Sequence, residues 1–324
     1  MTRALRRPRT IFLGTPPFAL PSLAALLNEV EILAVVTQPD RPKGRGQVLE
    51  APPVAQFARA RGLPLLQPPR LRAPDVLREL SILQPDLLVT VAYGKIIPTE
   101  LLHLPPLGCI NLHPSLLPKY RGASPIQHAI ANGDPETGVT IMFQTEELDA
   151  GDIILQRRVP IDAADTAQTL EERLATVGAE VLVEAVRLIG AGQAPRRPQD
   201  PAAATYVTKL TKASGRIDWG RPAAALVQFI RAMDPWPSAY TWHRGQLLKI
   251  WRGHVTPAVG TRGAIVEIRR GVGFVVAAGE DGVLIEEVQP EGRRRMSAEE
   301  YARGSRLQPG EHLGPPSSDP AVRL

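Results

Sequence analysis

The sequence predicts a doubly wound α/β sheet followed by a small OB-like β-barrel. Short apolar strands alternate with helix-patterned segments up to residue 191, a proline-rich polar stretch follows, and the rest breaks into short apolar runs between glycine-bearing turns. Alternating strands and helices favour a mostly parallel sheet. Short strands with regular turns favour a small barrel. A chain of 324 residues also exceeds the usual single core, which points to two domains. The spacing places a first domain at 1–191, a linker at 192–208 and a second domain at 209–324.

Thr10–Gly14 reads as the first strand, and Leu20–Leu27 carries the apolar spacing of a helix with Pro21 near its start. A strand at Ile32–Thr37 is followed by helices near Val54–Arg61 and Pro74–Leu83, then by strands at Leu87–Ala92 and Gly108–Leu112. Val139–Thr145 and Ile153–Val159 flank an acidic turn as a hairpin-like pair, and Thr169–Ala191 reads as a long closing helix. Prolines 195, 198 and 201 stiffen the linker. Beyond it, a helix near Pro222–Met233 precedes strands at Ala239–Trp242, Leu247–Trp251, Ala264–Ile268, Phe274–Ala277 and Leu284–Val288. Leu307–Leu324, rich in Pro, Ser and Gly, reads as a loosely held tail.

Composition narrows the function classes. Charged residues are 22% and no apolar run reaches the ~20 residues needed to span a bilayer, so a membrane role is not expected. The basic N-terminus lacks the apolar stretch of a signal peptide, and the expected location is the cytoplasm. Cys109, the single cysteine, sits in an apolar segment and reads as a packing residue. Residues 1–205 carry 21 Lys+Arg against 21 Asp+Glu, whereas residues 206–324 carry 17 against 12. The net +5 therefore lies in the C-terminal part, which fits a polyanionic partner or simply a solvated basic surface.

The Gly14-Thr15-Pro16-Pro17-Phe18 turn has neither Gly-x-Gly-x-x-Gly nor a Walker lysine, which argues against dinucleotide or ATP binding. No His/Cys/Asp spacing reads as a metal site, and no metal is expected. The chemistry concentrates in Asn111-Leu112-His113-Pro114-Ser115-Leu116-Leu117-Pro118 and in Leu148-Asp149-Ala150-Gly151-Asp152. Asn111 and His113 alternate on one face at a strand's C-terminal end, where open α/β sheets bind ligands. An Asn amide can donate to a developing oxyanion, a His can shuttle a proton, and a neighbouring Asp can set the His tautomer. No activated Ser or Cys nucleophile is evident. The set suits direct attack of an amine on an acyl donor. Taken singly, His113 could be structural and Asp149 could merely cap a turn. Trp219 and Trp236 could serve as base-stacking platforms, but the prolines flanking Trp236 favour a packed interdomain corner for it.

These two segments resemble the signature of the folate-dependent formyltransferases, whose catalytic domain is Rossmann-like. The resemblance implies catalytic roles for Asn111, His113 and Asp149 and 10-formyltetrahydrofolate as formyl-donor cosubstrate. It implies folate binding by Ser115, Leu116, Leu117 and Pro118 and by the Tyr93-Gly94 loop within Val91–Ile97. Longer stretches resemble the branch of that family whose acceptor is methionyl initiator tRNA: Phe12–Pro16, Thr37–Gly46, Tyr120–Ile126 and Ile230–Pro237. In that branch the Pro39–Gly46 loop would reach tRNA through Arg41, Lys43 and Arg45, with the C-terminal barrel supplying further tRNA surface. The residues alone allow a solvated loop there, although three cations among Pro and Gly also suit a phosphate backbone. The competing expectations are a formyltransferase acting on glycinamide ribonucleotide or an amino sugar, and a non-catalytic RNA-binding protein on the same fold. A monomer is expected, since no long apolar edge or coiled-coil seam is visible.

Overall fold

The computed structural model describes residues 7–43 and 48–315. In chain order its elements are β1 Arg9–Gly14, α1 Leu20–Leu26, β2 Glu31–Val36, β3 Arg41–Lys43, β4 Val48–Glu50, α2 Pro53–Ala60, β5 Leu65–Leu66, α3 Pro74–Ile82, β6 Leu87–Val91, α4 Thr99–Leu102 and β7 Cys109–His113. There follow β8 Arg121–Gly122, α5 Pro125–Ala131, β9 Glu136–Phe143, β10 Ile153–Pro160, α6 Ala167–Gly190 and β11 Tyr206–Val207. The C-terminal elements are α7 Ala223–Ala232, β12 Ala239–His243, β13 Gln246–Thr256, β14 Ile265–Arg269, β15 Gly273–Ala277, β16 Gly282–Pro290, β17 Met296–Ser297 and α8 Ala298–Ser305.

The chain divides into two compact units. The first comprises Met1–Pro125, Glu136–Pro160 and Glu171–Val207; the second comprises Ile126–Pro135, Ile161–Leu170 and Thr208–Leu324. In the first, seven strands run in the order β10-β9-β7-β6-β1-β2-β5. The five from β7 to β5 are parallel, as the βα alternation predicts, and β9 and β10 extend the sheet as an antiparallel hairpin. Every residue of β6 is buried. Such a central strand reads as an unbroken apolar run because both of its faces are covered, and Thr90 is its one polar interruption. Strand order reverses between β1 and β6, so the crevice beyond their C-terminal ends is the natural ligand site.

In the second unit the strands form an antiparallel sheet of order β12-β13-β16-β15-β14, with β17 paired to β16. Trp219 is buried there and its indole N–H donates to Thr241 Oγ1 at 3.2 Å. Trp236, by contrast, is 48% exposed, so the packed corner predicted for it is not formed in full. The loosely held tail also needs correction. Leu307 and Leu313 are buried, and residues 312 and 313 bridge to Ala264 and His243. Buried His243 lies between Tyr301 Oη (2.6 Å) and Glu311 Oε2 (2.8 Å), and Glu311 takes a two-pronged contact from Arg244. These donors hold the Glu311 carboxyl down at about 2. Residues 316–324 of the predicted tail lie outside the described residues.

The predicted linker is likewise part of the first unit up to Val207. Arg197 and Ile153 exchange backbone hydrogen bonds, Gln199 is buried, and β11 pairs in parallel with β8. Prolines stiffen this segment, but the backbone of Arg197 and the buried Gln199 tie it to the first unit.

Among the described residues, no helix is long and apolar enough to cross a membrane, and no group of three or more His, Cys, Asp or Glu is placed to hold a metal ion.

Candidate active site

Asn111 and His113 occupy the last turn of the pleat on β7, two residues apart and therefore on one face. Asn111 lies opposite Thr90 of β6 and Met142 of β9; His113 lies opposite Thr140 of β9. The Thr90 hydroxyl lies 2.8 Å from Asn111 Oδ1 and donates there, which turns the Asn111 N–H2 group away from the sheet partner. His113 is buried, and its Nε2 is 2.9 Å from the carbonyl of Tyr120. A carbonyl can only accept, so Nε2 carries hydrogen and Nδ1 is the nitrogen left for proton exchange. Asp149 Oδ2 stands 3.7 Å from that Nδ1. The same oxygen accepts the Gly122 N–H at 2.8 Å. All three predicted catalytic residues thus meet at the end of β7.

Two glycines make this meeting possible. A Cβ on Gly122, which has φ +104°, would lie 2.4 Å from the Val207 carbonyl oxygen; one on Gly151 would lie 1.8 Å from that of Phe143. Asp149 itself adopts φ +49°, a left-handed conformation that short polar side chains tolerate better than most.

The segments predicted to bind folate divide. Ser115 is fully buried and its hydroxyl donates to the Lys119 carbonyl at 2.6 Å. Leu117 packs with Met142 and Ile153, while its N–H donates to Thr140 Oγ1 at 3.2 Å. Leu116 lies over Gly138, where a Cβ would come within 2.5 Å of it, and the carbonyl of Pro118, which follows a cis peptide bond, accepts the Thr205 N–H. This run therefore builds the loop that supports His113. Gly94 is exposed beyond β6, and the Tyr93 carbonyl accepts from Thr15 Oγ1 (3.0 Å) and Gln38 Nε2 (2.9 Å). The Tyr93 ring instead enters the apolar cluster of Ile11, Leu13, Val36 and Leu88. Its hydroxyl is buried with no hydrogen-bond partner among the described residues, and burial pushes its pKa up to about 12. An orphaned buried hydroxyl costs about 1–3 kcal/mol. Tyr93→Phe is therefore expected to raise the urea midpoint at unchanged m-value; a lower midpoint would show that the hydroxyl is satisfied in solution.

Arg41 is exposed on β3 and its guanidinium donates to Gln38 Oε1. Lys43 ends β3 and pairs with Val48 across a two-stranded ribbon. Arg45 lies outside the described residues.

A cavity of about 560 Å³ adjoins the Asp149 turn and is lined by Cys109, Phe143, Gln144, Glu147, Asp152 and Arg196, among others. Arg196 stacks on Phe143 at 3.8 Å, and Gln144 Oε1 lies 3.0 Å from Thr90 Oγ1 and 3.1 Å from Cys109 Sγ. Burial pushes the Cys109 thiol up, so it stays protonated, in keeping with a packing role.

The sequence matches the formyl transferase family model over residues 9–186 and the model of the formyl transferase C-terminal domain over 209–306. This chain belongs to the formyl transferase family. Two relatives within it are a methionyl-tRNA formyltransferase of Moorella thermoacetica, 49% identical over 94% of this chain and 99% of that one, and one of Symbiobacterium thermophilum, 48% identical over 96% of both. Among solved structures, the N-formyltransferase from Helicobacter canadensis in complex with folinic acid and dTDP-3-aminofucose shares the fold. Its TM-score is 0.66 at 19% identity, covering 87% of this chain and 99% of that one.

Sequence reasoning missed several residues that hydrogen-bond to the trio or to the loops around it. Thr90 was visible in principle, since a hydroxyl inside an all-apolar buried strand must find a partner. Thr140, Gln144, Arg121 and Gln199 carry no local pattern that distinguishes them from ordinary polar residues.

Proposed function

We propose that this protein transfers the formyl group of 10-formyltetrahydrofolate to the α-amino group of methionyl initiator tRNA, giving N-formylmethionyl-tRNA. The observation that carries the reading is the near end-to-end similarity to methionyl-tRNA formyltransferases, with Asn111, His113 and Asp149 gathered at one sheet edge. The likeness to a sugar-modifying enzyme concerns the fold alone.

In this reading the folate is a substrate whose pterin end lies in the cavity beside the Asp149 turn, where Gln144 and the polar backbone of Thr145–Glu147 can satisfy a heteroaromatic edge. Ser115–Pro118 serve folate binding indirectly, by fixing the loop beneath His113. The amine nitrogen attacks the formyl carbon, a C–N bond forms to it, the bond to N10 breaks, and one proton passes from the amine to N10. Asn111 donates through Nδ2 to the developing oxyanion. His113 holds or passes the proton at Nδ1, and the Asp149 carboxylate offsets the positive charge the ring then acquires. Arg41, Lys43 and Arg45 meet the phosphates of the tRNA acceptor end, and the C-terminal unit adds Arg216 and Arg262 at a second cavity of about 500 Å³.

The test supplies 10-formyltetrahydrofolate with methionyl initiator tRNA, methionyl elongator tRNA, glycinamide ribonucleotide or a nucleotide-linked amino sugar, and detects the formyl product by mass. Formylation confined to the initiator tRNA is expected. Product from a small amine alone would retain the trio and overturn the tRNA assignment.

A further inference from the structure

Gln199 sits in the proline-rich segment after α6, far in sequence from the trio, and is 9% exposed. Its carboxamide spends every hydrogen-bonding position on protein groups. Oε1 accepts from Arg121 Nε (3.1 Å) and Nη2 (2.9 Å), while Nε2 donates to the carbonyls of Asp149 (2.8 Å) and Gly151 (2.8 Å). A guanidinium can only donate and a carbonyl can only accept, so the amide has one permitted orientation. Arg121 is 3% exposed and is itself held by Tyr206 Oη at 3.0 Å and Glu147 Oε1 at 3.3 Å. Its N–H donates to the Thr205 carbonyl, and Thr205 Oγ1 accepts the N–H of Tyr120, whose carbonyl orients His113.

The consequence falls on Asp149. Its backbone is left-handed, a conformation that costs an L-residue energy and persists only when its surroundings determine it. Gln199 captures the carbonyls of Asp149 and Gly151, which pins the backbone from which the Asp149 side chain leaves. Gly122 then receives the carboxylate. We propose that Gln199 is a positioning residue of the formyl-transfer site: its carboxamide, backed by Arg121, holds the Asp149 turn so that the carboxylate faces His113 Nδ1. The inference rests on the formyl-transfer reading for its effect on turnover, and on the geometry alone for its effect on Asp149.

Gln199→Leu removes both donors. Gln199→Glu keeps the Arg121 contact and the shape but sets a carboxylate against two carbonyl oxygens. In both, kcat is expected to fall about ten- to a hundredfold, the scale of a displacement of roughly one ångström, with KM for either substrate within about twofold. For Gln199→Glu the kcat ratio to the unsubstituted protein should recover as pH falls, because the protonated carboxyl can donate to one carbonyl again. Asp200→Ala, which removes a cap on Ala202 N–H in the same segment, should leave kcat unchanged. Without substrates, the Gly122 amide proton, which reports its bond to Asp149 Oδ2, should move upfield in both Gln199 variants and stay in place in Asp200→Ala. Thermal unfolding confirms that each variant is folded, and Gln199→Glu serves if Gln199→Leu is not. Unchanged kcat with an unmoved Gly122 resonance would overturn the proposal, as would an equal loss in Asp200→Ala. Should the unsubstituted protein transfer no formyl group, the proposed function fails and the Gly122 resonance alone decides whether Gln199 positions Asp149.

Discussion

Asn111→Ala should lower kcat about a hundred- to a thousandfold, or ~2.7–4 kcal/mol of barrier, the range measured when one oxyanion donor is removed elsewhere. The variant should remain folded. Thr90, the residue hydrogen-bonded to Asn111 in the sheet, has the Ile110 carbonyl at 3.1 Å and Gln144 Oε1 at 3.0 Å as further acceptors, so its buried hydroxyl is not orphaned by the substitution. Because the donor acts on charge that develops only in the transition state, KM for the formyl donor should change little. Single-turnover formylation together with circular dichroism checks both halves. Near-normal turnover in a folded variant would remove Asn111 from the mechanism.

Asp149→Asn is expected to be at least as severe, on the order of a thousandfold or more, by analogy with loss of the carboxylate behind a catalytic His. The amide can still accept the Gly122 N–H, so the turn is kept. What is lost is the negative charge 3.7 Å from His113 Nδ1. Asp149→Ala should be worse in a second respect, because the buried end of the Gly122 bond is then unpaired and stability falls by roughly 1–3 kcal/mol. Comparing the two variants by turnover and by denaturant midpoint separates charge from hydrogen bonding. Equal kcat in Asp149→Asn and the unsubstituted protein would show that the carboxylate only shapes the turn.

The parts of this molecule that can be read from sequence are those governed by local periodicity. β1, β6, β7 and α6 have the apolar spacing of their final burial, and each lies within two residues of its predicted span at either end. Asn111, His113 and Asp149 were legible because they stand beside strand ends and turns, where polar groups have few structural reasons to gather. α8 escaped notice because its face is mostly polar, although Ser297-Ala298-Glu299-Glu300 carries the spacing of a helix N-cap, and Ser297 Oγ accepts the Glu300 N–H at 3.1 Å. The tail between residues 307 and 315 could not be read from its composition. It is fixed by Leu313 and by the Glu311 contact with His243, partners roughly seventy residues apart in sequence. Gln199 shows the same limit: nothing in Pro198-Gln199-Asp200-Pro201 reveals that an arginine and two carbonyls await the amide.

The path of residues 192–207 has a bearing on how such a molecule can be recombined. A designer who grafts a different C-terminal module onto this sheet would be inclined to cut where α6 ends, at the first glycine and proline. That seam would discard Gln199, Thr205 and β11, and with them the supports of the Asp149 turn and of the loop after His113. A crossover placed after Val207 keeps them. Chimeras joined on the two sides of this sixteen-residue stretch should therefore differ in chemical competence even when the grafted module is identical.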